Sequence, residues 1–304
     1  MKITTAIIAA AGFGSRFLPV VKNVPKEMLP IIDKPSIQYL VEDCIEAGLE
    51  RVILVVRKGN NVMRDYFTNP AGNVKELLAQ QGKSSRFESV EKVLAMKQVM
   101  IIEQNPDLPY GNGSPIYSAK KYLSPDEAYV LLFGDDMVLT PNGNKSVKQI
   151  IDFYHENEGD TDAVLAGVEL EKEVAKKWGA CVKFKSFDKA SNSGIMEFQV
   201  EKPTEEEFVK NNLTPIMTYG RMVVDYNIFN YLTPTATGKD GELWLQDAIA
   251  KTALKGTVKV KILDGQFMTT GDPMKYIKSQ IYYYLNNSEY GTETKEFLKS
   301  LVIN

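Results

Sequence analysis

The sequence predicts an α/β fold, in which a Rossmann-like, mainly parallel mixed sheet is flanked by helices and continues into a smaller antiparallel extension. Apolar, β-rich segments alternate with segments of helical periodicity in the first half of the chain, a pattern typical of parallel sheets. Beyond residue 170 the strands follow one another as a hairpin, which indicates antiparallel pairing. The 304 residues, 44% of them hydrophobic, are enough to bury a large core.

The elements are assigned in chain order. The predicted strands of the first half are Ile3–Ala10, Arg51–Val56, Val99–Glu103, Tyr129–Phe133 and Ala163–Val168. A helix begins at Pro35-Ser36 and ends before Gly48, and the polar segment from Asn60 to Lys97 predicts two short surface helices.

The second half predicts a hairpin and two terminal helices. Its strands are Ala180–Phe187 and Ile195–Glu201, and the helices are Met274–Leu285 and Glu293–Val302. We therefore expect a single domain over residues 1–304, with a first part to about residue 170, a second part over about 171–272, and C-terminal helices at 273–304.

Composition excludes several classes of protein. The 36 Lys and Arg residues against 39 Asp and Glu give a net charge of −3, and no block of like charge favours a nucleic acid or an anionic membrane as partner. No apolar run is long enough to span a bilayer, so we expect a cytoplasmic protein without a membrane partner. Cys44 and Cys181 lack metal-ligand spacing and are expected to be buried thiols. The lone His155, expected at the surface, argues against a zinc site or a Ser-His-Asp triad.

A glycine loop follows the first strand. Its small residues offer free backbone N–H groups to a phosphate chain, and Arg16 and Lys26 add two cations close behind. A dinucleotide fingerprint would require a third glycine where Phe17 stands, which disfavours a nicotinamide-dependent oxidoreductase. The loop also lacks the Gly-Lys-Ser/Thr of a Walker A motif. The sequence therefore predicts a phosphate-binding loop that belongs to neither of these two motifs.

Two aspartates, Asp135 and Asp136, follow the strand that ends at Phe133. They lie at the edge where parallel sheets place their ligands. Because neighbouring side chains on a strand point to opposite faces, we expect only one of the two in the site. The residues alone leave open whether this aspartate binds a metal.

Three motifs read together resemble a known family. Gly12–Pro19, Pro25–Pro30 and Asp33–Pro35 are similar to the N-terminal signature of the sugar 1-phosphate nucleotidylyltransferases, and the form Pro25-Lys26-Glu27 resembles the uridylyltransferase branch. The resemblance implies an enzyme that transfers a nucleotidyl group from UTP to α-D-glucose 1-phosphate, giving UDP-glucose and pyrophosphate, with Mg²⁺ as cofactor. A homodimer or homotetramer is expected.

The resemblance also implies a role for individual residues. The nucleotide-binding residues it implies are Ala10, Ala11, Gly12, Gly14, Glu27, Gln104 and Gly113. Gln104 and the following segment Tyr110–Ser114 are similar to the family's second base-binding segment. The catalytic residues are Arg16 and Lys26, which face the triphosphate, and Lys202, which meets the sugar phosphate. Sugar binding falls to Gly179, Glu201, Gly220 and Glu242. Asp135 is the implied magnesium ligand, with Asp136 beside it in a supporting or loop position.

Three departures from the family pattern keep alternatives open. Ser114 stands where the uridylyltransferases usually have histidine, Trp178 replaces a tyrosine, and Thr269 replaces an aspartate that completes the metal site in several branches. Asp272 could take over that role only if the loop followed a different path. The alternatives are the same fold acting on dTTP or another sugar 1-phosphate, and a catalytically weak regulatory paralogue, which the presence of Arg16 disfavours.

Overall fold

A computed structural model describes residues 1–140 and 145–301. The strands of these ranges are β1 (Lys2–Ala10), β2 (Pro30–Ile31), β3 (Lys34–Pro35), β4 (Arg51–Val56), β5 (Val99–Glu103), β6 (Glu127–Phe133), β7 (Asp136–Leu139), β8 (Ala163–Glu169), β9 (Ala180–Asp188), β10 (Ser193–Glu201), β11 (Ile216–Asp225), β12 (Val258–Ile262) and β13 (Gln266–Thr269). The α-helices are α1 (Ser36–Glu46), α2 (Val62–Thr68), α3 (Val74–Gln80), α4 (Glu88–Leu94), α5 (Gly113–Ala119), α6 (Ser146–Glu156), α7 (Lys172–Trp178), α8 (Glu205–Lys210), α9 (Leu245–Lys255), α10 (Pro273–Leu285) and α11 (Gly291–Leu301).

The main sheet has nine strands in the order β5-β4-β1-β6-β11-β8-β12-β10-β9. Strands β5, β4, β1 and β6 are parallel to one another, and β12 is parallel to β8. Strand β11 lies antiparallel between β6 and β8, and its first residues also pair with β9. The two short sheets, β2–β3 and β7–β13, lie outside this order.

Strands β1, β4 and β6 are buried on both faces, because helices cover each side of the sheet. In β1, Ala6, Ile8 and Ala10 belong to one apolar cluster, whereas Ile7 belongs to the cluster on the opposite face. This alternation explains why the strand is a continuous apolar run in the sequence. Helix α1 packs Ile37, Leu40, Val41 and Cys44 against the sheet, as its periodicity predicts.

The mixed α/β fold predicted from the sequence is confirmed, with differences in detail. The antiparallel hairpin β9–β10 extends the main sheet itself. The segment from Asn60 to Lys97 holds three α-helices and a 3₁₀ turn at Ser84–Phe87, so the expectation of two helices was wrong. Strands β2, β3, β7, β11, β12 and β13 were not predicted. Of the last predicted helix, Val302 lies outside the described residues.

The remaining structural expectations concern isolated residues. Cys44 and Cys181 are both buried and unbonded, as expected. The side chain of His155 is 43% exposed on α6, which confirms a surface histidine. Within residues 1–140 and 145–301, no helix is long and apolar enough to cross a membrane.

Candidate active site

Two clefts meet at the carboxyl edge of the parallel strands. The first, which we call the glycine-loop cleft, has a volume of about 520 Å³ and is lined by residues within two positions of the ends of β1, β4, β5 and β6: Ala11, Arg57, Gln104 and Asp135. The second, the hairpin cleft, has a volume of about 490 Å³ and lies against β10 and β11. Four residues line both clefts: Asn112, Phe133, Asp135 and Trp244. Asp135 therefore lies at their junction.

The glycine loop turns sharply at Gly14. This residue has a φ of +62°, in the left-handed region that glycine adopts without strain. A Cβ at Gly14 would lie 3.4 Å from the Cβ of Lys26, so the loop runs directly against that lysine. The turn thus sets the loop and the first cation of the site side by side.

Lys26 and Asp135 form an ion pair, with 2.5 Å between Nζ and Oδ2. Burial alone would lower the pKa of Lys26, but the carboxylates of Asp135 and Glu27 raise it above its usual range. Burial would likewise raise the pKa of Asp135, but the Lys26 ammonium lowers it. Both groups are therefore charged at neutral pH.

Glu27 lies at the floor of the glycine-loop cleft and is only 1% exposed. Its Oε1 is 3.9 Å from Nζ of Lys26, and its Oε2 has no hydrogen-bond partner among the described residues. Burial is the main cause that raises the pKa of this carboxyl to about 7. A buried acceptor without a partner is costly, and a ligand N–H would satisfy it.

Both aspartates line the hairpin cleft, so the expectation that only one would enter the site was wrong. Neighbouring side chains point to opposite faces only within one strand. Asp135 lies in the turn between β6 and β7, and Asp136 begins the new strand. Oδ2 of Asp136 accepts a hydrogen bond of 2.8 Å from the backbone N–H of Gly220. Burial and the charge of Asp135 raise the pKa of Asp136.

Two further cations line the hairpin cleft. Arg16 is exposed, and its Nη1 donates a hydrogen bond of 3.3 Å to the carbonyl oxygen of Gly271. Lys202 has a 56% exposed side chain whose Nζ lies 3.4 Å from Oε1 of Glu201. The backbone N–H of Lys202 donates a hydrogen bond to the carbonyl oxygen of Gly179, and this hydrogen bond joins the end of β10 to the end of α7. Both side chains are accessible to a bound anion.

Glycines bring the backbone close to this cleft. A Cβ at Gly220 would lie 2.4 Å from ring atoms of Phe133, and one at Gly179 would lie 2.9 Å from the sulfur of Met217. Any side chain at either position would displace a wall of the cleft.

The structure brings most of the predicted site residues together. Those that line the glycine-loop cleft are Ala11, Gly12, Lys26, Glu27, Gln104, Asp135 and Glu242. Those that line the hairpin cleft are Arg16, Asp135, Gly179, Glu201, Lys202 and Gly220.

Four predicted positions differ from expectation. Glu242 lies in the glycine-loop cleft and not with the other predicted sugar-binding residues. Ala10 is buried at the end of β1, and Gly14 forms the turn of the glycine loop. Neither residue lines a cleft. The N–H of Gly113 is already donated to the carbonyl oxygen of Leu243, and a Cβ there would meet Leu232 at 2.6 Å. Gly113 is therefore a packing residue.

The departures from the family pattern have distinct positions. Ser114 is fully buried, and its hydroxyl donates a hydrogen bond to the carbonyl oxygen of Pro109, so it stabilises the loop without reaching either cleft. Trp178 lines the hairpin cleft with the Lys275 ammonium 4.4 Å from its ring centroid. Thr269 and Asp272 both line the hairpin cleft, and Asp272 also caps α10 by accepting a hydrogen bond from the backbone N–H of Lys275.

Sequence reasoning gave no individual role to two residues that line these clefts, Asn112, which lies within the implied base-binding segment Tyr110–Ser114, and Lys275. Asn112 accepts from the N–H of Leu245 and donates to Oε1 of Gln246, which joins the loop before α5 to α9. An asparagine between two glycines, Gly111 and Gly113, is a signal that could have found it. Lys275 has no comparable signal, because its helix was read only for packing.

The oxygen atoms of Asp135 and Asp136 are the candidate donors for a divalent metal. Among the described residues, no cluster contains three or more His, Cys, Asp or Glu side chains able to hold a metal. One or two carboxylates completed by phosphate oxygens and water is the arrangement that Mg²⁺ usually takes. Asp135 is paired with the Lys26 ammonium through Oδ2, so a metal would share this carboxylate with the lysine. The donor set thus fits a metal that arrives with a phosphate ligand.

The fold and these two clefts define an α/β enzyme that brings a phosphate-bearing nucleotide against a second substrate. The family model described as nucleotidyl transferase matches residues 5–283, and the chain belongs to this family. It is a nucleotidyltransferase.

Similar proteins agree with this assignment. The chain is 33% identical over 303 residues to UTP–glucose-1-phosphate uridylyltransferase 2 of Staphylococcus saprophyticus, covering 100% of this chain and 99% of that protein. It is 33% identical over 302 residues to the UTP–glucose-1-phosphate uridylyltransferase of Staphylococcus epidermidis, covering 99% of each. Among solved structures, UDP-glucose pyrophosphorylase from Acinetobacter baumannii superposes with a TM-score of 0.84 at 26% identity over 99% of this chain and 100% of that one. A UTP-bound form from the same organism gives 0.82 at 26% identity over 100% of both chains.

Proposed function

We propose that this nucleotidyltransferase joins UTP and α-D-glucose 1-phosphate into UDP-glucose and pyrophosphate, with Mg²⁺ as the metal. The observation that carries the proposal is the junction of two clefts at Asp135. A transfer between two phosphate-bearing substrates needs both phosphates at one point, with charges that offset their own. The names of the most similar relatives support UTP and glucose 1-phosphate as the pair.

The glycine-loop cleft would hold the nucleotide. The unpartnered Oε2 of Glu27 is an acceptor for the N3–H of a uracil ring, and the amide of Gln104 offers both a donor and an acceptor. Lys26 lines the same cleft and pairs with Asp135, where it would face the phosphates. The groups for the base and for the phosphates are neighbours in this cleft, since Oε1 of Glu27 lies 3.9 Å from Nζ of Lys26.

The hairpin cleft would hold the sugar phosphate. Glu201 is a hydrogen-bond acceptor for sugar hydroxyls, and the exposed Nζ of Lys202 is a point charge for the phosphate. Gly179 and Gly220 let Met217 and Phe133 pack against the backbone and so shape the wall against which the sugar would lie.

Positioning and charge neutralisation would carry the reaction. A phosphate oxygen of glucose 1-phosphate attacks the α-phosphorus of UTP in line, the bond to the β-phosphate breaks, and pyrophosphate leaves with that electron pair. Lys202 orients the attacking phosphate, while Arg16 and Lys26 offset charge on the triphosphate. When bound, Mg²⁺ would be held by Asp135, with Asp136 beside it, and would neutralise phosphate charge.

A substrate panel tests the proposal. Purified protein is assayed with Mg²⁺, four ribonucleoside triphosphates, dTTP, and the 1-phosphates of glucose, galactose and glucosamine, with pyrophosphate release as the readout. UTP with glucose 1-phosphate should give the highest kcat/KM. A tenfold preference for dTTP, about 1.4 kcal/mol in transition-state binding, would refute the nucleotide assignment. A preference for another sugar would refute the sugar assignment, and no turnover with any pair would indicate the regulatory paralogue.

The expected homodimer or homotetramer and the cytoplasmic location stay predictions, as does the division into nucleotide and sugar parts near residue 170. Light scattering of the purified protein would test the first of them.

A further inference from the structure

A lysine near the start of α10 lies in the hairpin cleft and has no part in the reaction as proposed above. Lys275 lines this cleft together with Trp178 and Lys202. Its Nζ is 4.4 Å from the ring centroid of Trp178, well within the range of a cation–π contact, and tryptophan is the side chain that binds cations most strongly in this way. The side chain of Lys275 is 24% exposed. Its ammonium group is therefore partly buried in a cleft that is open to ligands.

A second contact restrains the Lys275 side chain. Its Nζ is 3.5 Å from Oδ2 of Asp272, whose Oδ1 accepts a hydrogen bond from the backbone N–H of Lys275. A charge-assisted hydrogen bond between such groups would be about 2.8 Å long, so this ion pair is loose. An ammonium group has three N–H donors. The ring face and the loose ion pair thus hold the ammonium in place and leave it able to donate hydrogen bonds to an anion.

Trp178 connects Lys275 to the part of the cleft that holds Lys202. Trp178 is the last residue of α7, and the next residue is Gly179. The carbonyl oxygen of Gly179 accepts a hydrogen bond from the backbone N–H of Lys202. The two lysines therefore contact adjacent residues of one wall, and both line the same cleft.

We infer that Lys275, held over the ring of Trp178, is a second cation for the phosphate of the sugar 1-phosphate. The inference rests on the proposed function and adds a residue to its sugar-phosphate site. A phosphate monoester carries about two negative charges at neutral pH. Lys202 supplies one positive charge, and its Nζ also lies 3.4 Å from Oε1 of Glu201. A second lysine in the cleft offsets charge that Lys202 alone leaves unbalanced.

The ring of Trp178 makes Lys275 more effective than an unrestrained lysine. A lysine side chain loses much rotamer freedom when it is fixed against a ligand. Trp178 and Asp272 already restrict Lys275, so less freedom is lost when a phosphate binds. Lys177 also lines the cleft, but it is exposed. Lys275 is thus the residue that contacts the phosphate, and Trp178 is a positioning residue.

The test is steady-state kinetics of Lys275→Met and Lys275→Arg, with each substrate varied in turn. Methionine keeps an apolar stem against the ring and removes only the charge. Lys275→Met should raise the KM for glucose 1-phosphate by about tenfold and leave kcat and the KM for UTP unchanged. Lys275→Arg keeps the charge and the cation–π contact, so its KM should stay within about twofold of the wild-type value. The matched control is Lys278→Met, since Lys278 is exposed on the same helix and lines neither cleft.

The reverse reaction separates the two phosphate positions. Its substrates are UDP-glucose, whose β-phosphate comes from the sugar phosphate, and pyrophosphate. Lys275→Met should raise the KM for UDP-glucose and leave the KM for pyrophosphate unchanged. A rise for pyrophosphate alone would place Lys275 at the leaving group and would overturn the inference.

Variants of Trp178 test the positioning role. Trp178→Leu should raise the KM for glucose 1-phosphate by about threefold, whereas Trp178→Phe, which keeps an aromatic face, should change it less. In a protein that already carries Lys275→Met, Trp178→Leu should add no further increase, because the ring acts through the ammonium. A full further increase in the double variant would show that Trp178 acts independently of Lys275, and the positioning role would be wrong.

An unchanged KM for glucose 1-phosphate in Lys275→Met, or an equal rise in Lys278→Met, would overturn the inference. The proposed function fails separately. If the wild type prefers another sugar 1-phosphate, the same comparison with that substrate decides the role of Lys275, because the phosphate group is common to both. If the wild type turns over no pair, calorimetry with glucose 1-phosphate in the presence of Mg²⁺ and UTP decides it. Binding about tenfold weaker in Lys275→Met would support the inference, and equal binding or no binding to the wild type would overturn it.

Discussion

Replacing Glu27 by glutamine should flatten the pH dependence of stability between pH 5 and pH 8. The side chain is 1% exposed, and burial raises its pKa from the ordinary 4.5 to about 7. The folded protein thus holds the Glu27 proton more tightly than the unfolded chain does. As pH rises from 4.5 towards 7, the unfolded state releases this proton first, so stability falls.

The magnitude follows from the two pKa values. At about 1.4 kcal/mol per pH unit, the rise from 4.5 to about 7 corresponds to about 3 kcal/mol in the free energy of unfolding. The loss is complete above pH 7, where both states are ionised. Glutamine has no proton to release, so the free energy of unfolding of Glu27→Gln should not contain this pH-dependent loss.

The assay is urea unfolding of the wild type, of Glu27→Gln and of Glu76→Gln at pH 5 and pH 8. Glu76 is exposed on α3 and serves as the matched control. Between the two pH values the wild type should lose about 2.5 kcal/mol more than Glu27→Gln, since part of the effect is already lost at pH 5, and the same amount as Glu76→Gln. Parallel profiles for the wild type and Glu27→Gln would show that the buried carboxyl does not titrate in this range, and the reasoning would be wrong.

Three further predictions concern the clefts. Lys202→Ala should raise the KM for glucose 1-phosphate by about tenfold and leave UTP binding unchanged, and steady-state kinetics with each substrate varied in turn would show otherwise if Lys202 served the nucleotide. Asp135→Asn should lower kcat by about a hundredfold with an unchanged circular dichroism spectrum. Titration of the wild type with Mg²⁺ should show weak binding to the free protein and tighter binding in the presence of UTP. Near-normal activity of Asp135→Asn would assign the metal to Asp136. Gly220→Ala should destabilise the protein by about 1–3 kcal/mol, because its Cβ would lie 2.4 Å from the Phe133 ring, and a thermal midpoint equal to that of the wild type would contradict this.

The parallel half of the fold and its cleft could be predicted because their signals are local. Strands β1, β4 and β6 are buried on both faces and therefore appear as apolar runs in the sequence, and β5 is a partly buried apolar run at the edge of the sheet. Once they are known to be parallel, the residues that follow them must meet at one edge. The meeting of the glycine loop, Gln104 and Asp135 in one cleft follows from that rule alone.

The rest depends on contacts between distant segments. Strand β11 contains a Gly-Arg pair, and Arg221 is 1% exposed because it reaches Asp43 and Ser146 on two helices. No local pattern reveals that a buried arginine has partners so far away in the chain. Strand β12 differs, since its Val-Lys-Val-Lys-Ile alternation was a readable strand signal. As for Arg221, no local pattern gives the positions of Gly113 and Glu242, because they depend on the path of the loop before α9.

The place of β11 in the sheet also governs how the chain can be synthesised and folded. Strands β6 and β8 flank it, yet both leave the ribosome first, and each has an open hydrogen-bonding edge until residues 216–225 emerge. Strand β12, over residues 258–262, must then enter between β8 and β10. Because open apolar edges pair readily with other chains, nascent or truncated forms that end before this point are the aggregation-prone species. Because of this strand order, the sheet can be completed only after β12, in the last quarter of the chain, has been synthesised. Pairings between such distant segments also make folding slow.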